Sequence, residues 1–184
     1  MADVTFTKWW KAREIPLAEV DWRNIRIFCQ QDDDPFNWDR CIYIIRLAPP
    51  YAIWYGTENI TYQSPILYVG SGTISQRWSQ HRDWLYELGR AIPGGRYEVW
   101  VAKPRVRRNS EVYKDIEADI LVKFREKTGC LPLRNRRVEG NPRKHTYEDG
   151  FFEGIFKPDR RYQWAMYPLK DQIRKFYDTG MQNS

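Results

Sequence analysis

The chain has 184 residues, 42% hydrophobic and 16% aromatic, which is enough apolar mass for a packed core and too much for wholesale disorder. It shows no apolar run near the ~20 residues of a membrane span and no charged-then-apolar leader, and its three scattered cysteines, Cys29, Cys41 and Cys130, suit neither a disulfide framework nor a structural zinc site. A soluble, cytoplasmic protein is expected. Its formal charge of +6 is unevenly spread, with 13 Lys/Arg against 6 Asp/Glu from Lys103 to Lys144 and 17 against 18 elsewhere; this suits a polyanion partner as well as an ordinary solvated face.

Residues 1–40 form a Trp-rich, mildly acidic extension. Within it Ile25, Ile27 and Cys29 alternate with Arg26, Phe28 and Gln30, which predicts a strand. Asp32-Asp33-Asp34 before Pro35 reads as a loop, with a cation site as the rarer use of such a run. Cys41 to Leu47, β-branched and aromatic, is a strand ended by Ala48-Pro49-Pro50. Residues 51–64 predict a hairpin-like excursion whose Trp54, Tyr55 and Tyr62 either pack or stack on bases.

A second strand is expected over Ile66–Gly70, then a helix over Ser75–Leu88 closed by Gly89. Tyr97 to Ala102 gives a third strand. Asn109 or Ser110 caps a second helix that runs to about Lys127 and stops at Gly129. Leu131 to Asn135 is an extended exit. After Gly140-Asn141-Pro142 comes an aromatic tail in which Leu169, Ile173 and Phe176 predict a short helix. The middle reads β-β-α-β-α.

Two local patterns carry chemistry. The stretch Leu67 to His81 is strand, glycine turn and helix, and it brings Tyr68, Arg77 and His81 to one corner. The second helix has an apolar stripe of Tyr113, Ile116, Ile120, Leu121 and Phe124, and at ~100° per residue Glu117 projects into it. Glu111, Asp115, Asp119 and Glu126 project away, with Asp119 free to pair with Lys123. An inward acid is costly unless it is paired or holds a cation. A salt bridge to Arg77 and a hard-cation ligand satisfy that equally well. For His81, Tyr43 and Tyr68 ordinary packing with satisfied hydrogen bonds is the competing explanation.

Taken in order, Cys41-Ile42-Tyr43, Tyr68-Val69-Gly70, Arg77, His81, Glu117 with Ile120-Leu121, and Pro132-Leu133-Arg134-Asn135 resemble the motifs of the GIY-YIG nuclease superfamily. The resemblance covers residues 41–135. It departs at Cys41, where the family has glycine, and in a longer spacer whose residues 48–64 look inserted. It implies an α+β fold, a three-stranded antiparallel sheet flanked by helices, with a nuclease core over 41–138 and N- and C-terminal extensions over 1–40 and 139–184.

The resemblance further implies a divalent-metal-dependent endonuclease of restriction or phage type, hydrolysing phosphodiester bonds in DNA. Glu117 would hold Mg2+ or Mn2+, and Arg77 would stabilise charge on the phosphate. Tyr43 would be the base or position the water, with Tyr68 and His81 beside it and Asn135 fixing geometry. Lys103, Arg105, Arg107, Arg108, Arg134, Arg136, Arg137 and Arg143 would grip phosphates. Cutting both strands would call for a homodimer or higher oligomer. The competing expectation is a non-catalytic nucleic-acid-binding protein that keeps the fold.

Overall fold

The computed structural model describes residues 2–28, 34–57, 60–138 and 145–166. In chain order these form β1 (Ala2–Asp3), β2 (Thr5–Phe6), β3 (Trp10–Pro16), α1 (Trp22–Ile25), β4 (Cys41–Leu47), β5 (Tyr51–Thr57), β6 (Ile60–Ser64), β7 (Ile66–Gly72), α2 (Ile74–Ala91), β8 (Arg96–Ala102), β9 (Pro104–Arg105), α3 (Val112–Thr128), β10 (His145–Thr146), α4 (Phe151–Phe156) and β11 (Trp164–Met166). The fold is α+β.

The central sheet has four antiparallel strands in the order β3-β8-β4-β7, where three were expected. The addition is β3, from the stretch assigned to the N-terminal extension. Trp10, Ala12 and Ile15 are buried in the core, but the register slips between Ala12 and Ile15, and Glu14 has φ 55°. A bulge breaks the two-residue period that identifies a strand from sequence. A second, three-stranded sheet, β11-β5-β6, contains the expected hairpin and a parallel strand from the C-terminal extension. Tyr55 is buried edge-on to Phe124 and donates to the Ile66 carbonyl, so this member of the hairpin is core.

Other expectations are corrected. The strand predicted from Ile25 is instead the end of α1 followed by a tight turn over Arg26–Phe28; Cys29 and Gln30 lie outside the described residues. Asp21 caps α1 by accepting from the Arg23 amide at 2.9 Å, and Ile27 is 73% exposed while Ile25 is buried, so the alternating residues share no face. Trp22 packs on Trp10, Phe36 and Trp78, which docks this segment against α2. Asp34 is used locally, accepting from Trp22 Nε1 and the Phe36 amide, each at 3.0 Å; Asp32 and Asp33 lie outside the described residues.

Gly89 does not end α2, which continues to Ala91. A Cβ there would lie 3.1 Å from the Leu17 backbone, so this glycine admits a close crossing. Gly129 does end α3, in the left-handed conformation at φ 79°. Asp115 and Asp119, which project away from the apolar stripe as expected, are half-buried under the 145–147 segment. Asp115 pairs with His145 at 3.1 Å, Tyr147 donates to Asp119 at 2.6 Å, and Lys123 reaches Glu126 instead. The helix predicted around Ile173 lies outside the described residues.

The free edge of β7 decides where a site can form. The exit after α3 runs along it: the Arg134 amide donates to the Leu67 carbonyl at 2.9 Å, and the Asn135 side chain bonds the Val69 backbone twice. Helix α2 meets one face of β7 through Tyr68, and α3 meets the other through Ser71. No helix among the described residues is long and apolar enough to cross a membrane.

Candidate active site

Tyr43 on β4 lies directly opposite Gly70 on β7, and Ile45 opposite Tyr68, so both phenols stand on the same face with ring centroids 5.9 Å apart. The glycine is required by this packing. A Cβ on Gly70 would lie 2.5 Å from Tyr68 Cε1 and 2.7 Å from Tyr43 Cζ and Oη. His81, one turn beyond Arg77 on α2, places Nε2 3.0 Å from Tyr43 Oη, and its ring centroid is 4.6 Å from that of Tyr68. Arg77, more exposed, lines the same cleft as Tyr68.

From the other face, Ser71 Oγ donates to Glu117 Oε2 at 2.5 Å and orients that carboxylate. Glu117 is half-buried, less sunken than a place within the apolar stripe implies, and it lines an open cleft. Asn135 is buried, accepting from the Val69 amide at 2.9 Å and donating to its carbonyl at 2.7 Å. Its polar atoms are taken up by the strand that carries Tyr68, which makes it a positioning residue.

Tyr68, Arg77, His81, Glu117 and Asn135 line one cleft of about 580 Å³. Arg134, Arg136, Arg137 and Lys114 line it as well, so five cations surround one carboxylate. Tyr43 does not reach the cleft; it is fully buried behind Tyr68. Lys103, Arg105, Arg107 and Arg108 lie on the β8–α3 connection, outside the cleft lining, and Lys103 pairs with Asp39 at 3.8 Å over the Trp38 ring. Arg143 lies outside the described residues.

Electrostatics follow from burial. Desolvation presses the His81 pKa down to about 4, helped by Arg77 and Arg134, so the ring is neutral near pH 7. Burial raises the Tyr43 hydroxyl well above its ordinary value, the Tyr68 neighbour adding and Arg77 opposing. Tyr68 is raised too, by burial and then Glu117, while Tyr43 and Arg77 hydrogen bonds pull against them. Two neutral phenols and a neutral imidazole therefore back a cationic cleft. Burial also lifts the Cys41 thiol to about 12, an inert group bonded to the Gly72 carbonyl at 2.7 Å.

Sequence reasoning passed over Ser71, Gln80, Trp84 and Lys114. A signal existed for each. Gln80, Trp84 and Lys114 stand three residues from Arg77, His81 and Glu117 on the same helix faces, and Ser71 alternates with Gly70 toward α3. Among the described residues no three His, Cys, Asp or Glu side chains cluster as a protein-only metal site would require. Magnesium, which keeps waters and shares its shell with substrate phosphate, needs only one or two carboxylates. Glu117, a hard oxygen donor fixed on the wall of a cationic cleft, fits that kind of site. Comparison with family models, curated proteins and solved structures returned no match.

Proposed function

We propose that the protein is a divalent-metal-dependent endonuclease that hydrolyses phosphodiester bonds in DNA, with chemistry like that of the GIY-YIG superfamily. The observation that carries this reading is one oriented carboxylate, Glu117, sharing a cleft with Arg77, Arg134, Arg136 and Arg137 and one face of Tyr68. A binding surface for nucleic acid gains nothing from an acid among its cations; a phosphodiester hydrolase does.

Glu117 would hold Mg2+ or Mn2+, which when bound polarises a phosphate oxygen and makes a coordinated water more acidic. The protein's own groups do the rest. Arg77 faces the reacting phosphate as a fixed donor for developing charge, and removing such a donor costs roughly 100- to 1000-fold in rate. Arg134, Arg136 and Arg137 hold the backbone without reading its sequence. Tyr68 touches the substrate. Tyr43, wholly buried and with a raised pKa, is a poor base and acts through Tyr68 as a positioning residue. Cutting both strands calls for two such clefts, hence a homodimer or higher oligomer on DNA.

Plasmid nicking in Mg2+ tests the reading beside a gel shift and a thermal melt. Glu117→Gln is expected to fold, to bind DNA and not to cut it. Equal cutting by Glu117→Gln and wild type removes the metal role. A wild type that shifts DNA without ever nicking it is a binding protein instead.

A further inference from the structure

An indole nitrogen has no lone pair to offer, so Trp84 Nε1, 3.3 Å from His81 Nδ1, can only donate to it. His81 Nδ1 is therefore an acceptor and carries no proton. The ring is neutral in this buried, cation-flanked position. A neutral imidazole bare at Nδ1 is protonated at Nε2, and Nε2 faces Tyr43 Oη at 3.0 Å. His81 is thus the donor in that bond.

Tyr43 Oη accepts there and keeps its own hydrogen, turned away from His81. Protonated at Nε2, His81 cannot take the Tyr43 proton, so Tyr43 stays a phenol behind Tyr68, the phenol that lines the cleft.

We propose that Trp84 is a positioning residue that sets the direction of a chain Trp84–His81–Tyr43, so that His81 meets Tyr43 as a hydrogen-bond donor and is no acceptor for its proton. The direction follows from donor and acceptor chemistry; its bearing on catalysis rests on the nuclease reading. Trp84 was not singled out by sequence, and its indole also stacks on Arg134 at 5.3 Å, which ties the chain to the cationic wall.

The chain has only two histidines, so 15N NMR of the imidazoles is tractable, with His81→Gln assigning the signals. Wild type at pH 7.5 is expected to show His81 as the Nε2–H tautomer; an Nδ1–H tautomer or a charged ring overturns the proposal. Trp84→Phe keeps a ring beside Arg134 and removes the N–H. It is expected to melt like wild type while His81 becomes a mixture of tautomers. Retention of a pure Nε2–H state in a folded Trp84→Phe protein means that Trp84 does not set the direction, and the proposal fails.

A wild type that neither binds nor cuts DNA sinks the nuclease reading, and the tautomer result still decides the chain.

Discussion

Asn135→Ala is the most direct test of how the site is held. The side chain bonds both the amide and the carbonyl of Val69, a residue with no exposure to solvent, and Asn135 itself is only 6% exposed. Truncation leaves two buried backbone groups without partners. At about 1–3 kcal/mol for each such orphan, the loss sums to roughly 2–6 kcal/mol, softened if water enters. For a domain of this size that corresponds to a fall in Tm of roughly 6–18 °C. Urea denaturation gives the free energy, and hydrogen exchange at the Val69 amide gives the local effect, which should be a marked loss of protection. Asn135→Asp is the sharper variant. It keeps an acceptor for the amide but sets a second oxygen against the Val69 carbonyl, so it should be as damaging at pH 7 and partly recover in acid, where the protonated carboxyl can donate. A folded Asn135→Ala protein with wild-type stability and wild-type Val69 protection would refute the reasoning.

Two further outcomes follow. Gly70→Ala puts a methyl where Tyr68 and Tyr43 already sit within 2.7 Å, so it should destabilise by about 1–3 kcal/mol and displace both phenols; a melt and crystal contacts indistinguishable from wild type would contradict that. His81 has a folded pKa near 4 against 6.5 unfolded, so the unfolded chain takes up the proton first as pH falls. Its contribution is complete above about pH 6.5 and is lost progressively down to about pH 4, on the order of 2–4 kcal/mol in all. The difference in urea stability between pH 7.5 and pH 5 should therefore be larger for wild type than for His81→Gln, and equal slopes would exclude a buried neutral histidine.

The sheet strands Cys41–Leu47 and Tyr97–Ala102 were legible because β-branched and aromatic runs bounded by Pro or Gly have few other uses, and α3 because its apolar stripe and Gly129 agree. Strand β3 was hidden by its bulge, and the end of α2 by a glycine that serves packing rather than termination. The partners of Asp115 and Asp119 were not legible, because a helix face reads as polar whether water or His145 and Tyr147 cover it. In the site, Tyr68, Arg77 and His81 stood out because they share one corner of the chain. Ser71 and Trp84 did not, since a lone serine in a strand or a tryptophan on a helix is ordinarily packing.

The order of residues alone determined which side chains are brought near one another by local geometry: turn, strand period and helix repeat act over a few residues and leave a printed trace. Only the tertiary structure decided which phenol faces the cleft, which face of α3 is covered, and which atom of His81 holds the proton. Those are set by strand register and by the meeting of α2 and α3 across the β7 edge, and contacts between elements far apart in sequence leave no period to read.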